Sequence, residues 1–301
     1  MNQNKMRFLR ATTVSSFVSL AGLLAVACGP QDSTGVGNPG LTQDEQALVT
    51  DGNDSNSAGD TASSIISIPM LGIGKKDDIV TADLAAGFGV AGVKGPVFGA
   101  CTTTTRDANV VTYEFLDCIG PFGFLNLTGK LVATYTVTSP GSVDIDVTST
   151  ALTINKTPIV ETGHATVSFL SDGSKQIVWN GQFDGTTPRG RPVKHGAAYT
   201  IGITTDPKDT TTCVALDGSA TTTVDLGVPK LEHGVTTTIS GYLRCGARTV
   251  CPKSGTVDVV NLTPGAKVHD VHVQFLGGPQ AQVTVTRADG KKTFTVPLSC
   301  D

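Results

Sequence analysis

Apolar and polar side chains alternate along much of the chain after residue 101, and the clearest run covers residues 123–139. The apolar side chains of that run occupy odd positions: Leu125, Leu127, Leu131, Ala133, Tyr135 and Val137. Successive side chains of a β-strand point to opposite faces of the sheet, so this pattern predicts a long strand with one buried face. The same alternation occurs at 143–147, 163–169, 177–183, 197–203 and 271–275.

Short turns separate these segments, and three of them contain Asp-Gly pairs, which begin at Asp172, Asp217 and Asp289. Such pairs favour hairpins between antiparallel strands, and about ten to twelve strands are expected. The sequence therefore predicts an all-β fold with one large curved antiparallel sheet, either a meander or an open or closed barrel-like structure. A two-sheet β-sandwich is the alternative. A short helix is expected near residues 77–86, ahead of the first strand.

The amino terminus has the composition of an export signal. Lys5, Arg7 and Arg10 precede residues 11–27, which carry no charge and become strongly apolar before ending in small side chains. This pattern predicts a signal peptide at residues 1–27. Residues 24–28 (LAVAC) resemble the lipobox of bacterial lipoproteins, in which the cysteine is acylated and becomes the new amino terminus. Cys28 is therefore the expected lipidation site, and simple secretion after cleavage at Ala27 is the alternative.

Residues 28–63 contain mostly Gly, Ser, Asp, Asn, Gln and Pro, and are expected to form a flexible linker between the lipid and the folded part. Residues 64–301 are expected to form a single disulfide-bridged β domain. The formal net charge of -4 becomes more negative once the basic signal residues are removed, which does not suit a nucleic-acid partner. The expected membrane contact is the lipid on Cys28.

Six cysteines remain after Cys28, and an even number in an exported protein predicts disulfides. Their spacing favours Cys101–Cys118, which closes a hairpin-sized loop, and Cys245–Cys251, which closes a tight turn. Elimination then leaves Cys213–Cys300. Zinc is not expected, because these cysteines lack the spacing of a zinc finger.

Asp144 and Asp146 are the strongest candidates for chemistry, because two residues of separation places both carboxylates on one face of a strand. Such a pair suits calcium binding or the acid and base of a glycosidase. The preferred interpretation is a solvent-facing surface, since Val143, Ile145 and Val147 occupy the opposite, core-facing positions. No common hydrolase, metalloprotease or nucleotide-binding motif is present, so no catalytic, cofactor or metal residue is predicted.

The five histidines add no clear site. His269 and His272 are three apart, so in a regular strand their rings lie on opposite faces unless a bulge intervenes. His164, His195 and His233 are isolated and are expected at the surface or in hairpins. His195 belongs to a small basic loop with Arg189, Arg191 and Lys194, which is expected to be solvated. Trp179 shares the parity of Ile177 and Phe183 and is expected to be buried.

Several short pieces resemble one family of proteins. They are the lipobox, residues 33–40 (STGVGNPG), residues 118–123 (CIGPFG), Arg244-Cys245, Cys251-Pro252 and the final LSC at 298–300. Together they resemble the Thr-rich, six-cysteine lipoproteins of myxobacteria. The resemblance implies an outer-membrane location, which Gly29 after the lipidated cysteine also favours, and it supplies no catalytic residue.

The expected function is that of a non-catalytic, lipid-tethered envelope protein with a structural or binding role, whose partner is another envelope protein or a glycan. Two alternatives remain. One is an envelope glycan hydrolase that uses Asp144 and Asp146. The other is a carrier that holds an apolar ligand in a pocket of the curved sheet.

Overall fold

The computed structural model describes residues 65, 67–70, 72–94, 101–119, 126–154, 156–186, 192–205, 211–225, 232–246 and 251–298. The predicted signal peptide, Cys28, the linker and Cys300 lie outside the described residues. Within the described part, no helix is both long and apolar enough to cross a bilayer.

Thirteen β-strands make up most of the described chain, and each pairs antiparallel with the next one in sequence. The strands are β1 (Thr102–Asp107), β2 (Val110–Ile119), β3 (Asn126–Ser139), β4 (Ser142–Ile154), β5 (Thr157–Phe169), β6 (Lys175–Thr186), β7 (Pro192–Thr205), β8 (Thr212–Asp225), β9 (Glu232–Cys245), β10 (Ser254–Asn261), β11 (Val268–Gly278), β12 (Gln280–Arg287) and β13 (Gly290–Pro297). They form one curved meander sheet that does not close, so β1 and β13 are its edges. The predicted all-β curved sheet is confirmed, and the described strands do not divide into the two sheets of a sandwich.

The alternation in sequence becomes an inner and an outer face. In β3, Leu127, Leu131, Ala133 and Tyr135 are buried on the inner face, while the Thr side chains between them are exposed or half-buried. The pairing slips beside Gly129, whose backbone has φ of 115° and passes so close to β4 that a Cβ would lie 2.2 Å from the Ala151 carbonyl oxygen. Only glycine fits opposite this bulge, whose extra residue is in β4, where the inward positions change from odd numbers up to Val147 to even numbers from Leu152.

A helical segment ahead of the sheet covers part of its inner face. Two short 3-10 helices, Ile68–Met70 and Lys76–Ile79, precede α1 (Ala82–Val93), whose first turn is capped by the Thr81 hydroxyl accepting from the Leu84 amide at 3.1 Å. The helix begins and ends later than the predicted 77–86. Its glycines disfavour a helix in isolation, but they allow close packing against β2 and β3.

Buried apolar side chains of the inner face form two clusters. The first core joins the helical segment to β2–β6 and reaches inward residues of β7 and β8. The second core consists of inward side chains from β8 to β12, with partly buried contributions from β13. Tyr199 and Ile201 of β7 contact both cores, so this strand is the seam between them.

The disulfides follow the strand pairing. Cys101–Cys118 forms as predicted, with Cα atoms 5.2 Å apart. The predicted Cys245–Cys251 and Cys213–Cys300 pairs are wrong, because Cys213 bonds to Cys245. These two residues lie directly opposite each other on the neighbouring strands β8 and β9, with Cα atoms 3.9 Å apart, so no chain movement is needed to join them. Cys251 is also disulfide-bonded, and its partner lies outside the described residues.

Candidate functional site

Asp144 and Asp146 project from the outer face of β4, as predicted from the core positions of Val143 and Ile145. Their side chains are 25% and 61% exposed. They contact the next strand, where Nδ1 of His164 donates to Asp146 at 2.8 Å and the hydroxyl of Thr166 donates to Asp144 at 2.7 Å. This arrangement is a cross-strand polar cluster on a solvent-facing surface.

A second His–Asp pair lies further along the same outer face. Nδ1 of His272 in β11 donates to Asp258 in β10 at 2.6 Å. The pairing of β11 with β12 shifts register between Val268 and Asp270. A bulge of this kind allows His269 and His272 to lie on the same face although they are three residues apart. Among the residues that the structure describes, however, no three His, Cys, Asp or Glu side chains are placed to hold a metal ion.

A surface cleft of about 430 Å³ lies where the 3-10 helix Lys76–Ile79 meets the turn between β3 and β4. Its lining comes from Lys76, Asp77, Ile79, Val80 and residues 137–141. The cleft is half open to solvent and contains only one acidic and one basic side chain, so it offers no convergent set of polar groups.

The strongest candidate lies on the inner face and was not predicted. His195 was expected in a solvated basic loop, but it sits inside β7 and is only 3% exposed. Glu161 of β5 is 1% exposed. Strand register places both in one row across the sheet, where Glu161 pairs with Phe183 of β6, Phe183 with His195, and His195 with Thr222 of β8.

Burial controls the ionisation of both groups. Loss of hydration raises the pKa of Glu161 well above its ordinary value and lowers the pKa of His195 to about 4, because each charged form is poorly solvated inside the sheet. Burial therefore favours the uncharged form of both groups. His195 Nδ1 and the Thr222 hydroxyl share a hydrogen bond of 2.8 Å, whereas His195 Nε2 has no hydrogen-bond partner.

Other buried polar atoms near this row also lack partners. Both carboxyl oxygens of Glu161, Nε1 of Trp179 and Oγ1 of Thr237 have none. We call Glu161, Trp179, His195 and Thr237 the inner polar patch. An unsatisfied buried polar group costs about 1–3 kcal/mol, so the patch reduces stability unless another molecule completes its hydrogen bonds.

Small residues separate the members of the patch. The row next to Glu161 and His195 reads Gly163, Gly181, Ala197, Ala220 and Thr237 across β5 to β9. One row further along, Trp179 stacks on Tyr199, with ring centroids 5.4 Å apart and planes 15° from parallel. Tyr199 lies over Gly218, where a Cβ would come within 2.7 Å of the ring. The inner face therefore has a floor of small side chains between an aromatic pair and the Glu161–His195 row.

The apolar neighbours of the patch are partly open to solvent. Tyr199, Ile201 and Ile203 follow the inward parity of β7 but are only half-buried, unlike the inward residues of β3 and β4. They form what we call the β7 strip, an apolar strip along the seam between the two cores. The strip starts from the end of β7 near the Cys213–Cys245 disulfide and leads towards the inner polar patch.

The alternation of side chains along β5 and β7 indicates that Glu161 and His195 face inward. His195 has the parity of Ala197 and Tyr199, and Glu161 has the parity of Ala165 and Val167. The alternation predicted at residues 163–169 and 197–203 therefore begins one inward position too late, because β5 and β7 extend further towards the amino terminus. Trp179 was expected to be buried, and it is.

No model of a protein family, no curated protein and no solved structure matches this chain. The interpretation of the site therefore depends on its own geometry.

Proposed function

We propose that this protein is a lipid-tethered envelope protein whose β domain binds a ligand with an apolar body on the inner face of its open sheet. The observation that carries the proposal is the half-exposed β7 strip, which leads from solvent to buried polar atoms without partners. A sheet that served only as a rigid support would gain stability by covering the strip and pairing those atoms.

The envelope location is supported by the signal sequence, the lipobox and the disulfides, which form and persist in oxidising compartments. Acylation of Cys28 would occupy its sulfur in a thioether. Cys300 would then be the one cysteine left for Cys251, whose disulfide partner lies outside the described residues. Two or three acyl chains hold a protein firmly on a membrane, so no spanning segment is required.

Binding is favoured over a purely structural role by the contrast between the two ends of the inner face. Inward residues of β2 to β4 are sealed by α1 and the 3-10 helices, whereas Tyr199, Ile201 and Ile203 are only half-buried. Apolar surface gains about 25 cal/mol for each Å² removed from water, so an acyl or other hydrocarbon chain is a suitable occupant for this strip.

Anchoring is tested by metabolic labelling with palmitate in a bacterial host. Wild-type protein should incorporate the label and fractionate with membranes. Cys28→Ser should not incorporate the label, and should be either soluble or an uncleaved precursor, because no other lipid site is predicted. Equal labelling of the two proteins would contradict the anchor.

Ligand binding is tested with N-phenyl-1-naphthylamine, an uncharged apolar probe whose fluorescence rises on leaving water. Ile201→Asn should weaken probe binding at least 10-fold, because it places an amide in the apolar strip. Thr200→Asn, the same replacement one residue away on the outer face, is the matched control and should bind like wild type. Binding that is unchanged in both variants, or absent from the wild type, would contradict this role.

A further inference from the structure

Positive charge is concentrated at one corner of the sheet, where the turn between β10 and β11 meets the turn between β12 and β13. Residues 267–292 contain four basic and two acidic side chains, although the whole chain has a formal net charge of -4. The basic ones are Lys267, Arg287, Lys291 and Lys292, and the three lysines are exposed. The two turns contact each other, since the Ala288 amide donates to the Lys267 carbonyl at 3.2 Å. We call residues 260–267 and 287–292 the basic corner.

The basic corner also exposes apolar side chains. Val260 is 43% exposed and Leu262 is 48% exposed. The turn that follows Asn261 has a defined shape. The side-chain oxygen of Asn261 accepts from the Thr263 amide at 2.9 Å, and its side-chain amide donates to the Val268 carbonyl at 3.3 Å. The apolar side chains are therefore held at the surface beside the lysines.

This combination of groups matches the interface of an anionic bilayer. Leucine and valine side chains gain free energy by leaving water for the boundary between headgroups and acyl chains, and nearby cations are attracted to lipid phosphates. The predicted anchor makes even weak contacts effective, because residues 28–63 would reach roughly 30 Å from the membrane as a flexible coil. An acidic soluble protein would match the lysines but would lack this local concentration.

We propose that the basic corner binds the surface of an anionic phospholipid bilayer and thereby sets the orientation of the tethered β domain. The inference rests on the proposed lipid anchor. Successive turns of an antiparallel meander lie at alternate ends of the sheet, so the basic corner and the start of the β7 strip lie at opposite ends. The β7 strip then starts on the side that faces away from the membrane, where its ligand enters from the aqueous phase.

The orientation is tested by adding a tryptophan at each end of the sheet. Leu262→Trp places it in the basic corner. Leu276→Trp, the matched control, places it at the opposite end near the β11–β12 turn, where Leu276 is 53% exposed. Lipidated full-length protein is bound to vesicles of phosphatidylcholine and phosphatidylglycerol whose acyl chains carry bromine, which quenches tryptophan emission. The wild type measures the contribution of Trp179, the single native tryptophan. Quenching of the added tryptophan should be at least twofold stronger in Leu262→Trp than in Leu276→Trp.

The role of charge is tested in the Leu262→Trp protein by reversing two lysines. Lys291→Glu combined with Lys292→Glu should reduce the quenching at least twofold, because the corner then repels phosphatidylglycerol. Lys75→Glu combined with Lys76→Glu reverses another exposed pair, and Lys76 lies against Gly141 in the β3–β4 turn at the opposite end. This control should leave the quenching unchanged. Vesicles of brominated phosphatidylcholine alone should quench less than the mixed vesicles. Far-ultraviolet circular dichroism verifies that each variant is folded.

The outcomes separate this inference from the anchor. Wild-type protein that does not float with the vesicles would contradict the anchor and the inference together. Protein that binds to the vesicles but is quenched equally at the two positions, or more strongly in Leu276→Trp, overturns the inference and leaves the anchor in place. Equal effects of the two charge reversals, or equal quenching by neutral and anionic vesicles, also overturn it. An emission shift of Leu262→Trp with soluble polyglutamate but no quenching by vesicles would show that the corner binds an acidic protein instead of a membrane.

Discussion

The two halves of the inner face are covered in different ways. Over β2 and β3 the helical segment of the same chain packs on the sheet. Tyr135 donates its hydroxyl proton to the Pro69 carbonyl at 2.8 Å, and its hydroxyl oxygen lies 2.8 Å from that of Tyr113. From β7 onward no helix among the described elements covers the sheet, and the second core depends on curvature and on contacts such as the edge-on packing of Tyr242 against Phe275.

The two regions also differ in whether their buried polar groups have hydrogen-bond partners. In the first half, buried polar groups such as the two tyrosines are paired, and loss of hydration raises the pKa of both hydroxyls well above their ordinary range. In the inner polar patch, Glu161 and His195 are equally buried but retain unpartnered atoms. Buried polar groups that have hydrogen-bond partners are typical of a structural core, whereas equally buried groups without partners are typical of a binding surface.

The largest expected effect concerns the cross-link beside the second core. Replacing Cys213 and Cys245 together by Ser should lower the free energy of unfolding by about 4 kcal/mol, because the bond closes a loop of 32 residues. The same double replacement at Cys101 and Cys118, which closes 17 residues, should cost about 3 kcal/mol. Urea unfolding of the two variants measures the difference.

Non-reducing peptide mapping of the wild type provides the control for connectivity. A peptide that joins Cys245 to Cys251 would contradict the Cys213–Cys245 bond and the expected difference between the two double variants.

The helix packing of the first core is tested by two glycines of α1. A Cβ at Gly89 would lie 2.1 Å from the Tyr135 hydroxyl oxygen and 2.8 Å from that of Tyr113, so Gly89→Ala must displace the tyrosine pair. We expect a loss of about 3 kcal/mol in the free energy of unfolding. Gly87→Ala is the matched control, since its Cβ approaches only the flexible guanidinium of Arg106 and the change favours the helix by up to about 1 kcal/mol.

The Gly89→Ala and Gly87→Ala variants also test whether the two halves of the inner face are independent. A folded Gly89→Ala protein should bind the naphthylamine probe as the wild type does, because the helix covers the first half and the probe site lies at the seam. Weakened probe binding in that variant, with no change in Gly87→Ala, would show that the two halves share one binding surface.

Much of the architecture was predictable because it depends on a local rule. Alternation with a period of two identified the strands and the inward faces of β3 and β4, and the Asp-Gly pairs at Asp172 and Asp289 precede antiparallel neighbours. The turn predicted at Asp217 is wrong, because this Asp-Gly pair lies inside β8, at a register shift in its pairing with β9. Whether the sheet closes was not predictable, since curvature is the sum of many small twists and bulges such as that at Gly129. The helical cover was underestimated because glycines, unfavourable for a helix in isolation, are required there by packing.

The site was less predictable than the fold. Glu161 and His195 are more than 30 residues apart in sequence, and only the register of three strands places them in one row, on either side of Phe183. Neither belongs to a motif, and both are types of residue usually found at the surface. Cys213 and Cys245 were mispaired for a similar reason, because their bond depends on the register of β8 and β9 and not on spacing in sequence.

Opposite pH dependences are expected from the two titratable groups of the patch. The pKa of Glu161 is raised when folded, so above its ordinary value of 4.5 the unfolded chain ionises first and the folded protein loses relative stability as pH rises. The pKa of His195 falls from 6.5 to about 4, so the folded protein loses relative stability as pH falls through that interval, by about 3 kcal/mol in total.

Glu161→Gln should therefore raise the free energy of unfolding by about 1–2 kcal/mol near pH 7 and give little gain near pH 4. His195→Gln should behave in the opposite sense, with its smallest penalty near pH 4. Chemical unfolding of both variants and the wild type at the two pH values tests this. Parallel pH profiles for the three proteins would mean that the two side chains are solvated, which would remove the distinction between the seam and an ordinary surface.

The smallest effect is expected on the outer face, where Asp144→Asn combined with Asp146→Asn should change the free energy of unfolding by less than about 1 kcal/mol. The carboxylates contact His164 and Thr166 from solvent-facing positions, and exposed pairs of this kind contribute little. Asp258→Asn, which removes the other His–Asp pair of this face, is the control and should behave alike. A hydrolase screen on peptidoglycan and common polysaccharides should not distinguish the double variant from wild type, because both carboxylates project from the outer face of the sheet and contact His164 and Thr166 of the next strand. Activity that is present in the wild type and in Asp258→Asn but lost in the folded double variant would place the function on the outer face of β4, and the inner-face comparison would then describe packing alone.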